Sequence, residues 1–419
     1  MGDPVAANQT ATAAADEAGA GSADSIAVTC DLIRFGVFFD GTGNSRDHAG
    51  TGDVSWHTNV DLLEHRYEKL DAPEQREVNG QTRNVNISSI YARGIGVEAG
   101  GGTTTNGMAR GMGDEGVRQR VADTVNEVRT EIRSKARGME VCDVWFDTFG
   151  FSRGAAAARH FANEVPRQNL TVQDAEAEVK FMGLFDTVVM IGNSTTTDGT
   201  YDNVRVETRG TAERIVHITA DDEIREKFPL TRAIGERRIR MVGVHSDIGG
   251  GYNPTRRGDQ RGSFEFEHED YSGLPGYLRR NWGLTTSNGT GADSTSPDTL
   301  VSERQSRWQP HDAGEWYSTF NWSCQHGLQF VSLKLMYDEA VAADVPFLPW
   351  TNTIEGTNVT MDPMLQTYYG SIKSGSVTTE QKMEVRLRYS HVSFNGERNW
   401  GFRPHLPRES GRRDAGTIR

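Results

Sequence analysis

The sequence predicts an α/β fold, a mostly parallel central sheet with helices on both faces. Three observations lead there. Short β-favouring runs alternate with helical stretches along most of the 419 residues, the pattern of repeated βαβ units. Several of these runs are apolar almost throughout, as strands buried on both faces are. Apolar residues make up 36% of the chain and aromatics 9%, enough for a sizeable core but low for a wholly compact domain. Long polar segments must therefore surround that core.

Residues 1–29 are rich in Ala, Gly, Ser, Thr and Asp and read as a disordered tail. The first strong element, 32–39, is apolar and aromatic and is ended by Asp40-Gly41-Thr42-Gly43-Asn44, a strand followed by a tight loop. A strand is expected at 85–91, then a glycine-rich loop at 94–113. A helix begins near Gly116, with Val117, Val121, Val125 and Val128 at helical spacing. A buried strand at 141–149 leads into a helix at 153–163. Short strands follow at 179–185 and 238–244, then a helix at about 325–342 and a closing strand at 383–389. Between about 254 and 320 the composition turns to Gly, Ser, Thr, Asp and Arg, a long surface insertion that could serve as a lid. It carries Trp282, Trp308 and Tyr317, with Trp322 just beyond, side chains suited to a membrane–water interface. The expected organisation is one domain over 30–400, flanked by the tail at 1–29 and a polar tail at 401–419.

Charge and cysteine content exclude some functions. The net charge of −13 argues against nucleic acid as a partner, since phosphate neutralisation needs clustered Lys and Arg. Cys30, Cys142 and Cys324 are far apart with no CxxC spacing. They read as reduced, mostly buried thiols of a chain folded in a cytoplasm, with neither a disulfide framework nor a zinc site. No apolar run is long enough for a membrane-spanning helix. Residues 1–29 hold no Lys or Arg and do not make a conventional secretory signal.

The chemistry begins at Gly150-Phe151-Ser152-Arg153-Gly154, which fits the G-x-S-x-G nucleophile elbow of α/β-hydrolases. The pattern alone is weak, but an apolar strand precedes it and Ala155–158 open a helix after it, the strand–turn–helix context the motif needs. Ser152 is the expected nucleophile; the alternative is a serine in an ordinary βα turn. In such enzymes an acid and then a histidine follow the serine along the chain. Asp186 closes the strand at 179–185, and His245 follows the strand at 238–244. Asp247 with His391 is a rival pair that position alone leaves open. An oxyanion hole is expected from the backbone N–H of Arg153 and from the loop at Gly41. His48, His57, His65 and His268 read as solvated loop residues. His217, His311, His326 and His405 lack a partner pattern, and His160 lies on the helix after the elbow. Nothing in the sequence implies a metal or an organic cofactor.

Five motifs in order carry a resemblance: FFDGTGN at 38–44, YARGIG at 91–96, GFSRGAA at 150–156, GLFDTV at 183–188 and GVHSDIGGGY at 243–252. HITADDEIREKF at 217–228 and GLQFVSLKLMYDEA at 327–340 add to it. Over roughly 32–345 the chain resembles the phospholipase catalytic domain of type VI secretion lipase effectors, the Tle proteins. The resemblance implies an α/β-hydrolase fold and a triad of Ser152, Asp186 and His245, with Asp247 and His391 outside it. It also implies hydrolysis of acyl esters of glycerophospholipids, with peripheral membrane contact, a secretion-machinery partner and an immunity partner among the associations it admits. A soluble carboxylesterase with the same triad, or a non-catalytic interaction module on the same scaffold, are the competing expectations.

Overall fold

In the computed structural model, the described residues are 30–48, 56–191 apart from 101, 105–106 and 108–109, 200–225 apart from 202, 227–253, 258–267, 285–288, 305–310, 315–393 apart from 392, and 414–417. The expected tail at 1–29 lies outside them. The first apolar run forms β1 (Asp31–Phe39), buried along its whole length. Its side chains alternate between two cores. Ile33, Phe35, Val37 and Phe39 face one side, while Leu32 and Phe38 face the other. A strand covered on both faces has no polar side to show, which is why its sequence reads as one continuous apolar run.

The chain continues through α1 (Asn59–Arg66), β2 (Glu74–Val78), β3 (Gln81–Ala92), α2 (Val117–Lys135), β4 (Val141–Phe151), α3 (Arg153–Arg167) and β5 (Glu176–Phe185). After a short hairpin of β6 (Thr200–Tyr201) and β7 (Val204–Arg205) come β8 (Arg214–Ala220), β9 (Leu230–Arg232), β10 (Arg237–Met241) and the short helix α4 (His245–Gly249). The main sheet has seven strands in the order β10-β8-β5-β4-β1-β3-β2. Every pairing in it is parallel except β2 with β3. This is the expected α/β-hydrolase type of sheet. Valines 117, 121, 125 and 128 of α2 and the alanines of α3 cover one face. The other is covered by α1 and by α5 (Leu328–Val341), α6 (Pro363–Ser374) and α7 (Thr379–Tyr389).

Two expectations change, those for 383–389 and for the cysteines, and two regions gain detail. The segment read as a closing strand at 383–389 is helical. Val385, Leu387 and Tyr389 alternate as a strand would, but Thr378 caps the helix by accepting the Gln381 N–H, and Val385 and Tyr389, four apart, are its buried residues. The insertion holds its own four-stranded sheet, formed by β11 (Gly258–Glu267), β12 (Thr285–Asn288), β13 (Gln305–Pro310) and β14 (Glu315–Cys324) in the order β11-β14-β13-β12. The side chains of its expected interfacial aromatics, and so the question of a lid, lie outside what is described. Within the tail at 401–419, β15 (Asp414–Thr417) pairs in parallel with β9. Cys30 and Cys142 form a disulfide with Cα atoms 5.4 Å apart. They are 112 residues apart in sequence, but Asp31 lies opposite Val141 where β1 and β4 begin side by side, so the topology alone brings them together. Cys324, the third, is buried. Among the described residues no helix is long and apolar enough to cross a membrane.

Candidate active site

The site lies where β1, β4, β5 and the turn after β10 reach the carboxyl edge of the sheet. β4 ends at Phe151, and Ser152 stands between it and α3 with φ 58° and ψ −125°, a left-handed conformation that costs a non-glycine residue on the order of 1–3 kcal/mol. Close packing enforces the turn. A Cβ on Gly154 would fall 2.2 Å from the Asp40 carbonyl oxygen, and one on Gly150 2.3 Å from that of Gly154. Backbone bonds fix the tip as well: the Ser152 N–H donates to Phe185 O at 3.0 Å and the Ser152 carbonyl accepts from Val188 N–H at 3.3 Å. The α3 N-terminus thus begins immediately after the serine, where its dipole favours negative charge.

Asp186 follows β5, also in a left-handed conformation, at φ 44°. It is fully buried. Its Oδ1 accepts the Ala220 N–H at 2.9 Å, and its Oδ2 lies 2.6 Å from His245 Nδ1. His245 opens α4, wedged between the Phe151 ring at 4.6 Å and the Phe228 ring at 5.0 Å. Burial lowers the pKa of this imidazole below its usual value; the Asp186 carboxylate opposes that and Arg225 adds to it. Asp186 orients Nδ1, so Nε2 is the nitrogen left for chemistry. Nε2 is buried and makes no hydrogen bond among the described residues, so Ser152 Oγ is not bonded to it here. Such contacts are often long before substrate arrives.

The rival pair is also assembled. His391 Nδ1 lies 2.6 Å from Asp247 Oδ1, and the His391 ring stacks on Tyr252 at 3.7 Å. Burial disfavours its charge, but Asp247, with Cys324 beside it, outweighs that and pushes the pKa up to about 10. The carboxylate of Asp247 is spent on structure: Oδ2 accepts the N–H groups of Val244 and His391, both at 3.0 Å. Through Asp247 the pair also ties His391 to the turn that presents His245.

The oxyanion expectation changes in part. The Gly41 amide donates to Asp40 Oδ1 at 2.7 Å, so it is not turned to a substrate. The Asp40 carboxylate also accepts from Thr58 Oγ1 and Tyr91 Oη. Burial and the nearby Asp61 raise its pKa to about 6, against the lowering effect of those donors. Arg153 is well placed in the backbone, as the first residue of α3. Its guanidinium reaches back to Thr42 Oγ1 at 2.8 Å and to the Gly107 carbonyl at 3.3 Å, tying the glycine-rich loops together, and burial pushes its pKa down to about 10.

Several contributors carried no assignment in sequence. Glu223 Oε2 accepts the His245 N–H at 3.2 Å, and the Arg225 guanidinium lies 3.4 Å over the Phe228 ring. Asp222 Oδ2 accepts the Gly243 N–H at 2.8 Å. All four belong to HITADDEIREKF, so the signal was present as a motif without a role. His217, expected to lack a partner, has two: Nδ1 meets Glu236 at 2.6 Å and Nε2 accepts the Thr187 N–H at 3.1 Å, steadying the loop after Asp186. His57 and His65 are also not solvated loop residues, for both engage Asp61 on α1. Among the described residues, they and Asp61 form a group that could hold a metal. His268, His311 and His405 lie outside the described residues. A cavity of about 630 Å³, lined by Leu32, Arg34, Trp145 and Lys180 among others, sits by the amino-terminal halves of the strands, away from Ser152.

Fold and site together define an α/β-hydrolase-type fold with a strained serine turn after β4 and a buried Asp–His pair at the same sheet edge. Comparison narrows the likeness. The family model described as T6SS, Phospholipase effector Tle1-like, catalytic domain matches residues 163–268, a segment that includes Asp186 and His245. The fold is similar to that in the structure of the Tle1 effector bound to the VgrG spike from the type 6 secretion system, with a TM-score of 0.59 at 20% identity over 87% of this chain and 85% of that one. An uncharacterized protein from Pseudomonas aeruginosa matches with a TM-score of 0.47 at 19% identity, over 86% of this chain and 53% of that one. No curated protein sequence gives a significant match. The resemblance drawn from the motifs is thus met again in both the family model and the fold.

Proposed function

We propose that this chain is a serine-dependent ester hydrolase of phospholipase type, with Ser152 as nucleophile, His245 as general base and Asp186 as the acid that orients it. One observation carries the reading: a strained serine at the end of β4 and a buried Asp–His pair after β5 and β10 occupy the same sheet edge, with the Phe151 ring against His245. His245 Nε2 takes the proton of Ser152 Oγ as that oxygen attacks the ester carbonyl. The Arg153 N–H and the start of α3 receive the developing oxyanion. The proton passes to the leaving alcohol, and the acyl-enzyme is then opened by water that His245 activates. The lowered imidazole pKa keeps the base neutral, and so competent, at neutral pH.

The choice of glycerophospholipid as substrate rests on the family-model match. Delivery through a type VI system and docking to a VgrG spike rest on the likeness to the spike-bound effector. The proposed lipid contact is peripheral. The Cys30–Cys142 bond suits a protein that works in an oxidising compartment. A panel of phospholipid vesicles and short-chain p-nitrophenyl esters, tested with wild type and Ser152→Ala, checks the proposal. We expect released fatty acid from wild type and a loss of about 10⁴-fold or more in the variant, as for other triad knock-outs. Hydrolysis of the short esters alone would leave the serine mechanism and remove the lipid. Activity retained by Ser152→Ala would remove both.

A further inference from the structure

A second cluster of chemistry-bearing side chains lies on α1 and just before its cap, outside the ester site. His57, Asp61 and His65 recur every four residues and so stack on one side of the helix. One ligand atom from each lies within 4.8 Å of the others. His57 Nδ1 is 2.5 Å from Asp61 Oδ2, and His65 Nε2 is 3.5 Å from Asp61 Oδ1. Both imidazoles therefore aim at one carboxylate that is wholly buried.

Two independent features point to a ligand. Asp61 Oδ1 is buried and meets His65 Nε2 only at 3.5 Å, too long for a good hydrogen bond. Arg46 approaches that oxygen at 2.9 Å as an ion pair, but it is shared with Glu64, and Oδ2 is left to His57. The second feature is Glu355, whose Oε2 lies 3.3 Å from His65 Nδ1. A carboxylate behind one ring nitrogen fixes the tautomer and leaves the other nitrogen's lone pair to a metal, the usual surroundings of a metal-bound histidine. Two imidazole nitrogens and one carboxylate oxygen are a donor set suited to Zn²⁺.

We propose that His57, Asp61 and His65 form a divalent-cation site, best matched to Zn²⁺, with Glu355 orienting His65. The cation would take the lone pairs of His57 Nδ1 and His65 Nε2, displacing the protons they share with Asp61. Its role is that of a clip. Next to His57, Thr58 Oγ1 donates to Asp40 at 2.6 Å and Asn59 Nδ2 donates to the Ile248 carbonyl at 2.9 Å. The clipped helix thus braces both the loop at 40–44 and the short helix of His245.

The test uses the full chain stripped with a chelator and titrated with Zn²⁺ against a chromophoric competitor, with thermal unfolding followed in parallel. We expect one tight equivalent per chain and a higher Tm, and Co²⁺ in its place should show tetrahedral d–d absorption. The tight equivalent should vanish in His57→Gln/His65→Gln, whose side chains are only half-buried and leave Asp61 in place. Glu355→Gln should bind about 10-fold or more weakly, as for other lost carboxylate partners of ligating histidines. No tight equivalent in wild type, or an unchanged one in the double variant, overturns the proposal. Neither readout is ester hydrolysis, so this result stands apart from that of the triad.

Discussion

Two buried histidines in this protein each hold an aspartate at 2.6 Å through Nδ1, yet the two pairs have opposite electrostatics. At His245, burial wins over Asp186, and Arg225 stands nearby, so the imidazole loses its proton readily. At His391, Asp247 and Cys324 outweigh burial, and the pKa is pushed up to about 10. The same hydrogen bond thus accompanies a lowered imidazole pKa in one place and a raised one in the other, as the proposed base and its rival require. What differs is the balance: burial outweighs the carboxylate at His245 and is outweighed by Asp247 and Cys324 at His391. Seeing a histidine bonded to an aspartate is not enough to assign a triad.

Substitution should separate the pairs most sharply. His245→Ala should cost several orders of magnitude in kcat/KM, as loss of a triad member does, with little change in Tm. His391→Gln should reverse that pattern. It leaves Asp247 buried without its cation, a loss on the order of 3–5 kcal/mol in stability, while kcat of the folded fraction changes far less. Equal losses of kcat in both would erase the distinction. The pairs should also differ with pH. The folded pKa of His391 is raised, so its stabilisation is complete below about pH 6.5, the value of an unfolded histidine, and is lost as pH climbs towards about 10. The stability gap between wild type and His391→Gln, measured by urea denaturation, should shrink across that window. For His245 the shift is downward, so the acid limb of kcat/KM should fall below about pH 6.5. A limb well above that value would mean a charged His245 at rest. Reducing Cys30–Cys142 should lower stability by about 2–5 kcal/mol and leave kcat unchanged, because the bond joins the far ends of β1 and β4 from Ser152.

Much of this was legible in sequence wherever one residue type has one physical use. The continuous apolar runs of β1 and β4 gave buried strands, and the glycines and alanines around Ser152 gave the elbow. Asp186 and His245 were candidates because each comes just after a strand, but position left Asp247 with His391 open, and only the order of the motifs chose between them. What could not be read depends on neighbours distant in sequence. Nothing near Cys30 announces Cys142, because only the pairing of β1 with β4 joins them. His217 looked partnerless until β8 placed it against Thr187 and Glu236. The helix at 379–389 resembles a strand in sequence because its apolar residues fit both periods, and the cap at Thr378 decides between them. The Gly41 amide fitted an oxyanion role by position, but the adjacent Asp40 side chain takes it.

The central claim is that Ser152 is activated by His245 and not by His391. Labelling with a fluorophosphonate, with the adduct located by peptide mass, tests it most directly. The account predicts a single adduct on Ser152, formed at similar rates in wild type and His391→Gln and abolished in His245→Ala. An adduct on another residue, or labelling that survives His245→Ala and disappears in a folded His391→Gln, would contradict it.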